Sequence, residues 1–217
     1  MSKRELERRS VFCEVRAEEF EGQKIITGRP VVYDSRTDLG VFDEIIERGA
    51  LAETDLRDVR FLVNHDISRI PLARSRRNNG NSTMQLVVDD EGLFVRILLD
   101  IENNTEARAL YSAVQRGDIT GMSFMFSVSK DKWEGRDTEH PLRRITKIAS
   151  IVEVSACTFP AYEDTEIYAR SREALESARQ TLENARQRRA LPPEGGDTAE
   201  LELLKAQFDY KFKTGGN

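Results

Sequence analysis

Gly121-Met122-Ser123-Phe124-Met125-Phe126 alternates as a strand does, with Met122, Phe124 and Phe126 on one side and Ser123, Met125 and Ser127 on the other. Three large apolar side chains on one face predict a buried strand, which would fix the hydroxyl on a rigid element. Just upstream, Asn103 is placed to cap a helix with Glu106 at the third position. Ala107, Leu110, Tyr111 and Val114 then follow at helical spacing until Gly117 stops it. One face of that helix must pack on the sheet to which the strand belongs. A serine inside a strand is ordinarily a packing or hydrogen-bonding residue, so Ser123 gains interest only from its neighbours.

Working back from the helix, residues 84–88 and 93–99 are separated by Asp89-Asp90-Glu91-Gly92, a hairpin signal in which glycine supplies the positive φ of the turn. Residues 60–66, Arg-Phe-Leu-Val-Asn-His-Asp, form a short apolar strand that ends in polar residues. The two-residue repeat puts Phe61, Val63 and His65 on one face. His65 is then at a strand end, either as a turn histidine bonded to nearby backbone or as part of a site. Residues 11–15 and 25–32 predict a first hairpin turning at Gly22, and residues 33–40 carry polar turn chemistry. Phe42, Ile46 and Leu51 are expected in the core whether their segment is a strand or a short helix.

Downstream, residues 131–140 form a polar loop holding the sole tryptophan, Trp133, and His140, whose neighbours Glu139 and Pro141 mark it as exposed. Residues 145–159 offer two strands' worth of apolar residues. Within them Ile151, Glu153, Ser155 and Cys157 share a face. A carboxylate on a buried strand costs several kcal/mol unless it is paired or wet, so Glu153 requires a partner. Arg143, Arg144 and Lys147 are structural candidates, and an edge position in water is another solution.

From residue 171 the character changes. Aromatic and β-branched residues give way to Arg, Glu, Gln and Ala, with Leu175, Ala178, Leu182 and Ala185 forming a thin helical seam. Pro192-Pro193-Glu194-Gly195-Gly196 is a linker. A second helical segment then follows, capped by Asp197 with Glu200 three residues on, and carrying Leu201, Leu204 and Phe208. The chain thus divides into a body, residues 1–170, and a charged helical tail, residues 171–217.

The chain has 217 residues, 39% hydrophobic and 33% charged, more polar than an average compact domain, and there is no internal repeat. A net charge of −5 argues against a general nucleic-acid binder, and the local basic cluster Arg74-Ser75-Arg76-Arg77 offers anion contacts at most. Cys13 and Cys157 lie in apolar or alternating runs and read as buried and reduced. With His65 and His140 they are too few for a zinc site at standard spacing. No run approaches the ~20 apolar residues of a membrane span, and the first nine residues lack a secretory signal's apolar stretch, so a soluble, intracellular protein is expected.

His65, Ser123 and Glu153 are thus three polar residues set against apolar strands. Their types are those of a base, a nucleophile and an orienting acid, the set that acyl transfer to serine requires. A serine hydroxyl is a weak nucleophile until a neutral imidazole takes its proton. No Gly-x-Ser-x-Gly elbow is present.

The chain resembles the prohead, or capsid-maturation, proteases of tailed bacteriophages, which are similar in fold to the herpesvirus assemblin proteases. The resemblance rests on Gly28-x-x-Val31-Val32-Tyr33, Phe42-x-Glu44-x-Ile46-x-x-Gly49-Ala50-Leu51, Leu62-x-Asn64-His65-Asp66, and Glu91-Gly92-Leu93. It continues through Arg116-Gly117-Asp118-Ile119-x-Gly121-Met122-Ser123-Phe124-x-Phe126 and Glu153-Val154-Ser155-x-Cys157-x-Phe159-Pro160-Ala161-Tyr162, in the family's order. The resemblance implies an α+β fold with a mainly antiparallel β-barrel core flanked by helices. It also implies His65 as general base, Ser123 as nucleophile and Glu153 in the third position, without cofactor or metal. Herpesvirus relatives have a second histidine in that third position, and His140 comes too early in the chain to fill it. Those relatives also use an arginine pair after it for the oxyanion. Here Arg143-Arg144 precedes Glu153, so no oxyanion role transfers to it.

The implied activity is that of a serine endopeptidase that cuts the scaffold segment of the major capsid protein, and itself. It would act as a homo-oligomer inside the assembling procapsid in the host cytoplasm, with neither nucleic acid nor membrane as a partner. The tail would be a packaging segment or propeptide. The competing expectation is a catalytically silent scaffold or assembly protein that binds capsid subunits through its helical tail.

Overall fold

The computed structural model describes residues 6–12, 15–158 and 172–190. They form an α+β fold made mostly of strands. The order is β1 (Glu7–Phe12), β2 (Arg16–Phe20), β3 (Gln23–Val32), β4 (Arg36–Asp38), β5 (Asp43–Ile46), β6 (Asp58–Val63), β7 (Ala73–Arg76), β8 (Met84–Val88), β9 (Gly92–Leu99), α1 (Thr105–Arg116), β10 (Gly121–Glu134), β11 (Leu142–Cys157) and α2 (Arg172–Ala190). Cys13, Phe159-Pro160-Ala161-Tyr162, the 192–196 linker and the helical segment expected from Asp197 lie outside the described residues.

The smaller sheet, β2-β3-β9-β8, is antiparallel throughout. Its turns fall where the sequence carries turn chemistry. Gly22 has φ 77° between β2 and β3, and the Asp89 carboxylate accepts the Glu91 and Gly92 N–H groups between β8 and β9. At Gly92 the requirement is steric as well as conformational: φ is 146°, and a Cβ there would lie 2.0 Å from the Val31 carbonyl oxygen.

The larger sheet is organised by the 16-residue β11. One edge of β11 pairs antiparallel with β10, which in turn pairs with β1. The other edge is shared in tandem. Residues 142–145 run parallel to β5, which carries β4, and residues 153–156 run parallel to β6, which carries β7. The described strands therefore do not make the closed β-barrel that the resemblance implies. Closure needs one continuous circuit of pairing with a consistent stagger. Here two strand pairs divide a single edge of β11, and the sheet branches instead of continuing round.

Ile26, Val31, Val95 and Ile97 of the smaller sheet and Phe61, Met122, Phe124, Phe126, Ile145 and Val154 of the larger are fully buried in one core. Each such burial contributes roughly 1.5–3 kcal/mol. α1 packs on β2, β3 and β9 and buries the expected Ala107, Leu110, Tyr111 and Val114. Its cap is Asn104 rather than Asn103. The Asn104 side chain accepts from the Glu106 and Ala107 N–H groups, while Asn103 bonds to Asp100.

Other boundaries also move. β1 begins at Glu7, ahead of the strand expected from residue 11, and pairs with β10, so the first hairpin is β2–β3; β10 runs on through Trp133, and β11 is one strand where two were expected. Phe42, Ile46 and Leu51 are buried as expected. The chain divides into two compact units, one ending at Leu182 and the other beginning at Glu183, and α2 runs across this division. In the first unit Ala178 and Leu182 cluster with Phe42, and the Trp133 ring meets Phe42 edge-on at 4.9 Å. In the second, the Gln187 amide donates to Glu183 one turn back. No helix among the described residues is long and apolar enough to cross a membrane.

Candidate active site

β10 lies between β1 and β11, and its register sets Ser123 directly opposite Ser155 and Met125 opposite Glu153. Cross-strand partners share a face, so Ser123, Ser155 and Glu153 project to one side of the sheet. Met122, Phe124 and Phe126 fill the core on the other side. Both polar faces identified in the sequence therefore coincide.

His65 reaches that face by a departure from the expected alternation. β6 pairs Phe61 with Val154 and Val63 with Ala156, so continued alternation would carry His65 to the core side. The strand stops at Val63, and Asn64 and His65 adopt left-handed backbone, φ 51° and 59°. Such a conformation costs a non-glycine residue roughly 1–2 kcal/mol, and local bonds offset it. The Asn64 N–H donates to the Ala156 carbonyl at 3.0 Å, its side chain exchanges bonds with Thr158, and the His65 N–H donates to Ser155 Oγ at 2.9 Å. The turn swings the imidazole across β11 towards Ser123.

His65 Nε2 lies 2.5 Å from Ser123 Oγ, and His65 Nδ1 lies 2.6 Å from Glu153 Oε2. Glu153 thus finds its partner in His65 rather than in Arg143, Arg144 or Lys147. A carboxylate accepting from Nδ1–H fixes the tautomer that leaves the Nε2 lone pair facing the serine. Ser123 is fully buried, and its hydroxyl also donates to the Arg9 carbonyl of β1 at 2.7 Å. The single hydroxyl hydrogen has two acceptors in reach, and only when it turns to Nε2 is the oxygen set to lose it.

Arg9 is held by a buried ionic cluster that has no signature in the sequence. Its guanidinium bonds Glu44 at 2.5 and 2.8 Å and Glu7 at 2.7 Å. Arg143, 2% exposed, bonds Glu7 at 2.6 Å, Glu44 at 3.0 Å and Asp131 at 2.8 Å, with Trp133 beneath its guanidinium. Burial works to raise the Glu7 carboxyl, but the Arg9 and Arg143 guanidinium groups outweigh it and bring it down from 4.5 to about 2. Burial likewise works against charge on both arginines, and the carboxylates of Glu44 and Glu7 hold each above the usual arginine value.

Because the Glu7 pKa is lower folded than unfolded, its contribution is complete above about pH 4.5 and is lost as pH falls towards about 2. Acid titration of unfolding free energy is expected to fall through that window, and Glu7→Gln is expected to flatten it. An unchanged slope in the variant would show that other groups set acid stability. Arg143 is thus committed to the cluster and Arg144 to Glu134, at 2.5 Å, which leaves neither for an oxyanion.

Asp38, Asp43 and His140 bring three ligand-type atoms within 4.8 Å of one another. Arg36 already bonds the Asp43 carboxylate at 2.8 Å, and His140 lies 3.2 Å from it. Burial works to raise the Asp43 carboxyl, but Arg36 and His140 hold it below its usual range, so the group reads as a salt-bridge cluster. His140 belongs to this cluster and not to the Ser123 site, in keeping with its loop position. Ser155 is the residue whose part in the site the sequence did not single out. Its signals were its place in the Glu153-Val154-Ser155 stretch of the resemblance and the two-residue spacing that puts it on the face of Glu153.

Residues 12–180 match a family model described as the caudovirus prohead serine protease. The chain is 35% identical over 134 residues to the prohead protease of Enterobacteria phage HK97, a match covering 61% of this chain and 53% of that protein. It therefore spans about half the length of the curated relative it matches. Among solved structures it is similar to the bacteriophage T4 capsid assembly protease, with a TM-score of 0.41 and 12% identity over 72% of this chain and 97% of that one.

Proposed function

The chain belongs to the caudovirus prohead serine protease family, and from that premise we propose that it is a serine endopeptidase with Ser123 as nucleophile, His65 as general base and Glu153 as the group orienting His65. The observation that carries this reading is the unbroken contact from Ser123 Oγ to His65 Nε2 and from His65 Nδ1 to Glu153. In acylation, Oγ attacks the scissile carbonyl carbon as its proton passes to Nε2. Collapse of the tetrahedral adduct breaks the C–N bond, and Nε2–H gives that proton to the leaving amine. Water then repeats the sequence on the acyl-serine and frees the new carboxylate. Glu153 keeps Nδ1–H directed and stabilises the imidazolium that forms twice per turnover.

The substrate in this proposal is the scaffold segment of the major capsid protein, cut inside the assembling procapsid of the host cytoplasm by an oligomer of this chain. Residues 1–170 carry the chemistry, and residues 171–217 serve as a packaging segment or propeptide removed by self-cleavage. Coexpression with the cognate capsid protein, followed by intact-mass measurement of both chains, tests this. Loss of the scaffold segment and of the tail is expected with wild type, and neither with Ser123→Ala. Equal processing by the variant would overturn the assignment. An intact tail in both would remove self-cleavage alone.

A further inference from the structure

Ser155 is fully buried in β11, between Ser123 on β10 and Leu62 on β6. Its hydroxyl makes two bonds of different kinds. The oxygen accepts the His65 backbone N–H at 2.9 Å, and the hydrogen is donated to Glu153 Oε1 in a short bond. Glu153 is thereby held at both oxygens, Oε1 by Ser155 and Oε2 by His65 Nδ1. His65 is likewise held at both ends, its left-handed backbone by Ser155 and its ring by Glu153 and Ser123.

We propose that Ser155 is a positioning residue that locks the base and its orienting acid to one another through a single hydroxyl, a role that rests on the serine-protease reading. Few side chains could do this at that place. The group must accept from a backbone N–H, donate to a carboxylate, and fit a buried strand position facing Ser123, which a hydroxyl satisfies with one oxygen. Without it, Glu153 can rotate about its last torsion and the His65 N–H loses the side-chain acceptor that fixes the turn. The imidazole then loses the alignment that sets Nε2 against Oγ. Misplacement on the order of 1 Å in such a constellation can cost about 100-fold in rate.

The test compares wild type, Ser155→Ala and Ser155→Thr, the last restoring a hydroxyl, in the full chain. Two readouts are taken: the rate of Ser123 labelling by a fluorophosphonate probe, scaled to the folded fraction, and the far-downfield proton resonance of His65 Nδ1–H, with His140→Gln used for assignment. Ser155→Ala is expected to label about 10- to 100-fold more slowly and to lose or shift the resonance. Ser155→Thr is expected to recover part of both. A Ser155→Ala protein that keeps the wild-type resonance overturns the proposal whether or not the probe reacts, and so does wild-type labelling by that variant. Failure of wild type itself to label counts instead against the protease reading, and the resonance still decides on Ser155.

Discussion

Ser123→Ala and His65→Ala are each expected to lower peptide-bond cleavage by about 10⁶-fold, and the double variant to be no worse than either alone, because in the proposed mechanism the two act as one unit in proton transfer and attack. Glu153→Ala should cost less, on the order of 10⁴-fold, since the imidazole remains as a base, though a weaker and less well oriented one. That ordering follows from the geometry. Only Ser123 Oγ would bond the substrate, His65 Nε2 lies 2.5 Å from that oxygen, and Glu153 reaches it only through the far side of the His65 ring, at Nδ1. Cleavage rates on purified variants check it. A Glu153→Ala loss as large as that of His65→Ala would mean that the carboxylate does more than orient. A loss below tenfold would mean that the His65 ring is held well enough without it.

The second large effect is on stability. Arg143→Ala is expected to cost roughly 3–5 kcal/mol in urea unfolding, because it strips a partner from buried Glu7 and Glu44 and from partly buried Asp131 together. The same cluster fixes Arg9, whose carbonyl faces Ser123 Oγ, so any residual folded protein should also cleave more slowly. Replacing Arg143 by Met, which restores volume but not charge, should recover little, since the two buried carboxylates Glu7 and Glu44 would then share Arg9 as their one remaining partner cation in the cluster. A loss under about 1 kcal/mol would match an exposed ion pair rather than a buried one and would show that water reaches the cluster.

The candidate site was legible in the sequence to the extent that it obeyed strand alternation. Ser123 and Glu153 each stood out as polar residues on strands whose other faces are apolar, and both land on one face because β10 and β11 pair in register. His65 was legible as a residue type at a strand end, but its face was not. Two successive left-handed residues reverse the alternation there, and nothing about Asn64 and His65 announces that reversal except the tolerance of Asn for such backbone. β1 was hidden because its inward residues, Glu7 and Arg9, are charged. A pattern that looks for apolar alternation sees a leader where mutual neutralisation makes a buried strand. The branching of the larger sheet was equally out of reach. Whether two short strands continue a circuit or share one edge of a long strand depends on partners remote in the chain, not on local composition.

The most direct measurement is reaction of the protein, coexpressed with the capsid protein proposed as its substrate, with a fluorophosphonate probe, with the adduct located by peptide mass spectrometry. An adduct on Ser123 that disappears in His65→Ala is the expected result. Probe on another serine, none on Ser123 in wild type, or undiminished Ser123 labelling in His65→Ala would contradict the account.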